Sequence, residues 1–479
     1  MSESKTLNTQ VPTSEHLESV EYLCSIELRD EVDDQAEANY CTVAFDAIPT
    51  QILPFLHHAR SREILSEPNY ALSFLLMEAE IPKPYFERVI RGRGWCSITV
   101  AESSNAGEGF FKATALEFYQ DETEFAPTTL YVKINSWQPD TSDLKALKRV
   151  TECRHYPSKA VESLAAQKAD VNDVFVAVYD VGQANMCAII DDNCNPKAFF
   201  DFGWPISAKR KSAPICRDFD PLDGDDPYNP SPVFLSHLDW DHWGYAYASG
   251  RPTRDTRGFW RTEVTYRDHV LERPWIMRRP SQAMQLGISH AHLLYQLQKT
   301  ILRDGSPALN FWPSTRTQAN WGACVLFTCN PAPGTHDSKY LRNNSALGML
   351  VENPQSPYYQ RVLLCGDADY TSIGSRYKRN LGGIVAPHHG GRVTPNSIPA
   401  PGAHNDTYRY MVFSTHQGSY SQIPSADTIE EAEELGWTIS RTDARKECWC
   451  GHGERRNRWF SLSITPAPTC FRHCTCCCT

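Results

Sequence analysis

Short apolar runs separated by polar and turn-forming residues recur along the chain and predict β-strands. In the first third these runs are YLCSIEL, CTVAFDAI, GWCSITVA and TTLYVKINSW. Helical or loop-like stretches separate them. We therefore predict a small mixed α/β accessory domain over residues 19–139, preceded by a disordered tail at residues 1–18. The polar, helical stretch over residues 140–172 is interpreted as a connector.

From Val174 onward, apolar runs of strand length end in polar residues of the kind that bind ligands. The runs are VFVAVYDVG, MCAIIDD, AFFDFG, VFLSHLDWDHWG, ALGMLVE, RVLLCGDADY, GGIVAPHHGG and YMVFSTHQG. Helical segments lie between and after them, at HAHLLYQLQKTILRDG and SADTIEEAEELG. Strand ends can bring distant side chains to one site on a rigid scaffold. We predict an α/β or α+β domain over residues 173–466 and a Cys-rich tail over residues 467–479.

Composition and length narrow the class of protein. The chain has 479 residues, of which 41% are hydrophobic and 22% charged, which excludes collagen, a long coiled coil and a mainly disordered chain. The first residues carry no secretory signal pattern, and the most apolar stretch, YALSFLLM, is too short to span a bilayer. We expect a cytoplasmic protein with no membrane partner.

The net charge of −10 is unevenly distributed. Residues 1–170 hold 16 Lys and Arg against 27 Asp and Glu, so the rest of the chain is close to neutral. Phosphate contacts need cations, which disfavours nonspecific nucleic-acid binding by the first third. We expect that acidic part to bind a protein partner, and any polyanion contact to belong to the second part.

The densest cluster of metal-binding side chains is SHLDWDH, directly after the run VFL. It holds His237, Asp239, Asp241 and His242. Imidazole and carboxylate donors suit Zn²⁺, Mn²⁺ or Fe²⁺. The alternative interpretation is a solvated acidic loop with an incidental histidine pair.

Two further motifs favour the metal interpretation. Asp367 follows a strand and a glycine, and a carboxylate with two oxygens can bridge two cations. His388 and His389 end another strand. Each piece alone is weak evidence, but all three in this order, each after a strand, are hard to explain as coincidence.

Together these motifs resemble the metallo-β-lactamase superfamily, and within it the soluble hydrolase domain of competence DNA-uptake channel (ComEC-type) proteins. The matching pieces are DVGQ at 180–183, DFG at 201–203, SHLDWDH at 236–242, NNS at 343–345, GD at 366–367, PHHG at 387–390, FST at 413–415, Pro424 and TD at 442–443. The resemblance implies an αββα sandwich with two divalent metal ions, Zn²⁺ or Mn²⁺, at one sheet edge. Carried over by position, one ion would be held by His237 and Asp239, the other by Asp241, His242 and His388, with Asp367 bridging.

The same resemblance implies hydrolysis of a phosphodiester by a hydroxide held between the two cations. Asp241 and His389 are then candidate catalytic residues, and His389 would orient substrate or protonate the leaving group. The late motif that usually ends in His-Pro reads Ile423-Pro424 here. His416 either replaces that missing histidine or is an ordinary surface residue.

Asn343 and Asn344 stand where the wider superfamily often supplies a third histidine, and we treat them as candidate substrate-binding residues. A first site poor in nitrogen donors favours Mn²⁺ or a weakly held ion over tightly bound Zn²⁺.

Residues 251–280 hold eight arginines against four acids, interleaved with aromatic residues. Arg254, Arg257, Arg261 and Trp260 are therefore candidate nucleic-acid contacts, through phosphate pairing and base stacking. The alternatives are a surface with local ion pairs and a docking face for the acidic first third.

Seven of the 17 cysteines lie in residues 448–478. Cys450, His452, Cys470 and Cys474 form a candidate structural zinc site, although their spacing matches no standard zinc motif. Redox or acylation sites and a disordered tail are the alternatives.

Three functions follow. The first is a metal-dependent phosphodiesterase or nuclease acting on nucleic acid or nucleotides, which would fit bacterial defence by association. The second is a metal-binding regulatory or scaffold subunit with weakened catalysis. The third is a hydrolase of small esters or amides.

Overall fold

A computed structural model describes most of the chain. The described residues are 19–29, 39–57, 74–90, 94–103, 107–118, 127–137, 141–151, 174–207, 220–281, 284, 286–331, 333–334, 338–353, 361–402, 409–416, 423–444, 446–447, 454–455 and 458–462. The predicted tails at 1–18 and 467–479 and most of the predicted connector lie outside them.

The N-terminal part is a closed antiparallel barrel of six strands in the order β1-β2-β3-β5-β6-β4. The strands are β1 (Ser19–Leu28), β2 (Tyr40–Pro49), β3 (Leu75–Pro82), β4 (Cys96–Ala101), β5 (Phe111–Ala115) and β6 (Thr129–Trp137). The barrel closes because β1 pairs with both β2 and β4. A short helix, α1 (Lys83–Tyr85), follows β3. The expectation of a mixed α/β accessory domain is therefore wrong, since the strands close on one another around their own apolar core.

The rest of the described chain contains eighteen strands and six helices. The first eight strands are β7 (Phe175–Val178), β8 (Met186–Ile190), β9 (Pro196–Phe202), β10 (Val233–Leu235), β11 (Tyr247–Arg254), β12 (Trp260–Tyr266), β13 (Trp275–Arg278) and β14 (Leu309–Trp312). The others are β15 (Gln318–Trp321), β16 (Cys324–Thr328), β17 (Leu347–Glu352), β18 (Arg361–Leu364), β19 (Gly383–Val385), β20 (Tyr410–Phe413), β21 (Thr438–Arg441), β22 (Lys446–Glu447), β23 (Glu454–Arg455) and β24 (Arg458–Ser461). The helices are α2 (Ser142–Thr151), α3 (Trp240–Trp243), α4 (Asp268–Leu271), α5 (Ile288–Lys299), α6 (Ser338–Asn344) and α7 (Ala426–Glu434).

Two mixed seven-stranded sheets dominate this part. Their orders are β14-β13-β10-β9-β8-β7-β24 and β15-β16-β17-β18-β19-β20-β21. One apolar cluster takes residues from both, among them Phe200 and Phe234 of the first sheet and Met349 and Val385 of the second. The sheets therefore pack face to face, as burial of two apolar sheet faces requires.

The other faces of the sheets are covered differently. The first sheet shares its outer core with the barrel, α2 and α5. The second sheet packs against α7 and short loop segments. The helices predicted in HAHLLYQLQKTILRDG and SADTIEEAEELG are confirmed as α5 and α7, and the described part of the helical connector contains α2.

The predicted α/β class, an αββα sandwich behind a mixed accessory domain, is wrong for this chain. Strands make up most of the regular structure, and its longest described helix, α5, has 12 residues. A barrel and two sheets set the architecture, and the barrel itself covers part of one sheet. Within the described residues, no helix is both long enough and apolar enough to cross a membrane.

The barrel is fixed to the first sheet through the start of α5. The buried Asp46 of β2 accepts hydrogen bonds from the Ser289 backbone N–H at 2.9 Å and from the Ser289 hydroxyl at 2.6 Å. Trp240 Nε1 donates to the same hydroxyl at 2.9 Å. A carboxylate that binds the first N–H groups of a helix satisfies donors with no partner inside the helix. This contact holds the barrel beside α3, which carries two of the predicted metal ligands.

Candidate metal centre

The candidate ligands converge where strands of the two sheets end. His237 follows β10, which is parallel to β9 and β13. Asp367 follows β18 and the two histidines His388 and His389 follow β19, and β18, β19 and β20 are parallel. Parallel strands bring their carboxyl ends to the same edge. Residues far apart in sequence therefore meet as the strand-end pattern predicts.

Asp367 lies between several imidazole groups. Its Oδ1 is 3.0 Å from His242 Nε2, and its Oδ2 is 3.8 Å from both His237 Nε2 and His388 Nε2. The two oxygens thus face different histidines. This is the arrangement that a carboxylate bridging two cations requires.

A second group forms around Asp241. His389 Nε2 lies 2.9 Å from Asp241 Oδ2, and His242 Nε2 lies 4.0 Å from Asp241 Oδ1. The other ring nitrogen of His389, Nδ1, is 2.9 Å from the carbonyl oxygen of Ser414, so it donates there. The nitrogen facing Asp241 is then the one available as a ligand.

A buried carboxylate orients His242. Asp201 Oδ2 lies 2.8 Å from His242 Nδ1 and accepts hydrogen bonds from Ser236 Oγ at 2.9 Å and Asn185 Nδ2 at 3.0 Å. Asp201 Oδ1 accepts from the Ser236 backbone N–H at 2.7 Å. A histidine whose Nδ1–H is held by a carboxylate presents Nε2 in a fixed direction, as metal-bound histidines do.

Buried polar atoms without partners provide the test of whether a cation fits. Among the described residues, His237 Nε2, His242 Nε2 and Asp367 Oδ1 have no hydrogen bond of acceptable geometry. Leaving a buried polar group unsatisfied costs about 1–3 kcal/mol. His242 Nε2 and Asp367 Oδ1 lie 3.0 Å apart and attract each other as an ion pair when the ring is protonated, whereas His237 Nε2 has no contact that close within the described chain. Because all three are metal-ligand atoms, the residues present fit a divalent cation.

The candidate ligands form two groups that share His242, and within each group the ligand atoms lie within 4.8 Å of one another. The groups are His237, His242 and Asp367, and Asp241, His242 and His389. Since Asp201 occupies Nδ1 of His242, that ring has one lone pair and can bind one ion. Two ions would therefore divide the remaining ligands between them. Asp239, the predicted partner of His237 at one ion, has its Oδ2 atom 3.4 Å from His237 Nε2.

The charged side chains of the centre shift one another's pKa values. Burial alone would lower the pKa of His242, but Asp367 and Asp201 outweigh it and raise that pKa well above its usual value. Burial alone would raise the pKa of Asp367, yet His242, His388 and His237 hold it well below its usual range. Burial alone would also raise the pKa of Asp241, but its hydrogen bond to His389 and the charges of His242 and His389 together lower that pKa. A proton on His242 therefore offsets part of the negative charge of these carboxylates.

The backbone at the end of β19 is strained. His388 and His389 both adopt left-handed conformations, with φ of 51° and 58°. Such conformations cost non-glycine residues of order 1–3 kcal/mol each and cluster at functional sites. Gly366 has φ +56°, and a Cβ there would meet the Ser236 hydroxyl, so a glycine lets β18 end close to β10. The left-handed histidines therefore bring candidate ligands together at an energetic cost, whereas the glycine adopts its conformation without steric strain.

Sequence reasoning missed three residues that hold the ligands in place. Asp201 lies in the recognised DFG motif but received no role, although a carboxylate after an apolar strand was a usable signal. Arg342 contacts Asp239 Oδ1 through its Nε and lies 3.2 Å from Glu27 of the barrel. Nothing in the local sequence pairs a barrel glutamate with this arginine.

A cleft opens onto the centre, with about 400 Å³ of space that is partly open to solvent. Its lining residues are Glu27, Leu28, Arg29, Gln183, Pro205, Ile206, Asp239, Asp241, Asp367 and His388. The barrel therefore forms one wall of the cleft and the metal-binding residues form another. His388 is the half-buried histidine that faces this space.

His416 belongs to neither ligand group, and the asparagine pair lies at the end of α6. The His416 backbone N–H donates to Gln183 Oε1 at 3.1 Å. Asn344 Oδ1 accepts from the Asp369 N–H at 2.9 Å and the Ser372 hydroxyl at 2.6 Å, which fixes the loop after Asp367. Asn343 is buried, and its Oδ1 has no hydrogen bond among the described residues. Their roles in catalysis or substrate binding stay predictions.

The predicted nucleic-acid contacts lie on the hairpin β11–β12. Arg254 pairs with Glu102, Arg257 lies 2.6 Å from Asp255, and Arg261 lies 3.7 Å from Glu263. Trp260 Nε1 donates to Glu102 at 2.6 Å, and the Tyr22 hydroxyl of β1 donates to the Trp260 carbonyl oxygen at 3.0 Å. The hairpin thus packs on the barrel, and its arginines are engaged by carboxylates. Their proposed contact with nucleic acid stays a prediction.

The candidate structural zinc residues Cys450, His452, Cys470 and Cys474 lie outside the described residues. No protein-family model matches the chain, and no curated protein matches it. The case for a function therefore rests on the motifs and on the geometry of the centre.

Proposed function

We propose that the chain is a metal-dependent hydrolase that acts on phosphodiesters. The observation that carries this proposal is the convergence of three buried ligand atoms, His237 Nε2, His242 Nε2 and Asp367 Oδ1, beside a cleft that Asp367 lines. The resemblance of the motifs to ComEC-type hydrolases supports the choice of phosphodiesters. The geometry supports the assignment of residues.

In this proposal two divalent ions, Zn²⁺ or Mn²⁺, are held at the centre. His237 and Asp239 contribute to one site, Asp241, His242 and His389 to the other, and Asp367 faces both. When bound, such ions supply an activated water nucleophile and neutralise charge on the phosphoryl oxygens. The resemblance assigned the ligand role to His388. The buried His389, with Nδ1 bonded to the Ser414 carbonyl, is the better-oriented ligand.

In this proposal the remaining chemistry is supplied by side chains that line the cleft. His388 faces the open space and lies 3.8 Å from Asp367 Oδ2, so it is placed to hold a proton for a leaving group. Gln183 lines the same space, where its amide can orient a substrate oxygen. Four carboxylates also line the cleft, so an anionic substrate would be repelled until cations are bound.

The test is hydrolysis of bis(p-nitrophenyl) phosphate, DNA and RNA by the native chain with added Mn²⁺ or Zn²⁺. The native chain should cleave at least one of these diesters. Asp241→Asn should be at least about 100-fold slower, because a lost metal contribution of several kcal/mol corresponds to a factor of that size. Asp304→Asn, the same change in an exposed turn, should retain the native rate.

Other outcomes would overturn the phosphodiesterase. Hydrolysis of p-nitrophenyl acetate with no cleavage of any diester would make the chain an esterase of small molecules. Metal binding with no hydrolysis of any substrate would favour a regulatory subunit. The observation that favours that second candidate is the late motif, which reads Ile423-Pro424 and lacks the histidine that the resemblance leads us to expect.

A further inference from the structure

A chain of three largely buried charges connects the barrel to the candidate metal centre. Glu27 lies near the end of β1, and its Oε2 atom is 3.2 Å from Arg342 Nη2. The Nε of the same guanidinium contacts Asp239 Oδ1. Glu27 Oε1 also lies 3.5 Å from Arg29 Nη1. One planar guanidinium group thus joins a barrel carboxylate to a candidate metal ligand more than 200 positions away.

Burial makes this connection strong. The side chains of Asp239, Arg342 and Glu27 are 5%, 8% and 11% exposed. Although burial alone would lower the pKa of Arg342, Asp239 and Glu27 raise it, so the guanidinium is charged. Removing one partner from a buried ion pair leaves an uncompensated charge, which costs about 3–5 kcal/mol. Each of the three side chains therefore restricts where the others can lie.

The two oxygens of the Asp239 carboxylate contact different side chains. Oδ1 is held by Arg342, and Oδ2 lies 3.4 Å from the unpartnered His237 Nε2. Holding one carboxylate oxygen leaves the other facing the ligand histidine. Partners of this kind commonly change metal affinity 10–100-fold when they are removed.

We propose that the barrel supports the geometry of the metal centre, because its residue Glu27 positions Asp239 through Arg342. Glu27 is a positioning residue, since it reaches the candidate ligand Asp239 through Arg342. The proposal rests on the proposed metal centre and is independent of which bond is hydrolysed. It gives the N-terminal barrel a role that its fold alone does not reveal.

The geometry of the barrel wall agrees with this role. Arg29 Nη2 donates to the Ile206 carbonyl oxygen at 3.2 Å, and its guanidinium lies 4.4 Å from the Trp240 ring centroid. Trp240 immediately follows Asp239 and begins α3. The end of β1 therefore contacts the metal-binding loop at two points, Arg29 on Trp240 and Glu27 through Arg342.

The experiment is a Mn²⁺ titration of the full-length chain by isothermal titration calorimetry, followed by the same titration with Zn²⁺. Glu27→Gln should weaken one of two binding events by about 10-fold or more and leave the other unchanged. Glu80→Gln, the same change at an exposed position of β3, should bind as the native chain does. Thermal unfolding of each metal-free variant checks that it is folded.

A double-mutant cycle distinguishes positioning from general damage. Arg342→Lys keeps the charge but loses the planar fork that spans two carboxylates, so it should weaken the same binding event. If Glu27 acts through Arg342, the double variant should lose no more affinity than the larger single loss. Unchanged affinity in Glu27→Gln, or losses that add, would overturn the positioning role while leaving the metal centre intact. A native chain that binds neither ion would overturn both.

Discussion

Replacing Asp367 with alanine is expected to remove both metal ions from the chain. Its two oxygens face different ring nitrogens, at 3.0 Å from His242 Nε2 and 3.8 Å from His237 Nε2. The loss should exceed the roughly 10–100-fold reduction in affinity that follows removal of an outer partner of a ligand. Metal content after dialysis, measured by mass spectrometry, should fall from about two ions per chain to none.

His389→Ala is the matched comparison. His389 contacts Asp241, at 2.9 Å, and belongs to one of the two ligand groups. The variant should therefore keep the ion held by His237 and Asp239 and lose affinity for the other. Equal metal content in Asp367→Ala and His389→Ala would refute the bridging position of Asp367.

Replacing Asp201 with asparagine should destabilise the fold and weaken metal binding together. Asparagine tolerates the left-handed backbone found here, with φ of 60°, and nearly preserves the shape of the side chain. The carboxylate accepts from Ser236, Asn185 and His242, so an amide group must direct its own N–H at one of these donors. We expect the free energy of unfolding to fall by about 1–3 kcal/mol and metal affinity to fall 10–100-fold.

Urea unfolding and a Mn²⁺ titration measure the two effects of Asp201→Asn. Asp304→Asn in an exposed turn is the control, and it should change neither quantity appreciably. Loss of stability with native metal affinity would show that Asp201 supports the fold without orienting His242.

The local sequence predicted where the candidate site residues lie because their signals are local. Apolar runs ending in polar residues placed His237, Asp367 and His389 at strand ends, and parallel pairing of β18, β19 and β20 brings such ends together. Each of these signals needs only a few neighbouring residues.

The barrel was not predictable in the same way. Four of its strands are visible as apolar runs, yet closure depends on which strands pair, such as β1 with β4 and β3 with β5. β3 and β5 were not predicted, because the apolar run YALSFLLM overlaps only the first residues of β3 and because β5, with the sequence FKATA, is short and weakly apolar. Pairing across long sequence separations leaves no periodic signal, so the runs suggested a mixed domain.

The error in fold class has a related cause. The segments that suggested helices form short helices such as α2 and α7, with 10 and 9 residues. The barrel covers part of the first sheet, where the resemblance implied a helical layer. The contact of Arg342 with Glu27 is equally non-local, so the positioning of Asp239 could not be deduced from motifs.

The claim that the cluster around Asp367 is a metal centre can be tested directly by diffraction. Crystals of the native chain grown with Mn²⁺ or Zn²⁺ should show anomalous peaks at the corresponding absorption edge. For Zn²⁺ we predict peaks about 2.0–2.2 Å from Asp367 oxygens and from His237 Nε2 and His242 Nε2. Crystals saturated with either ion that show no anomalous peak beside Asp367 would contradict the account.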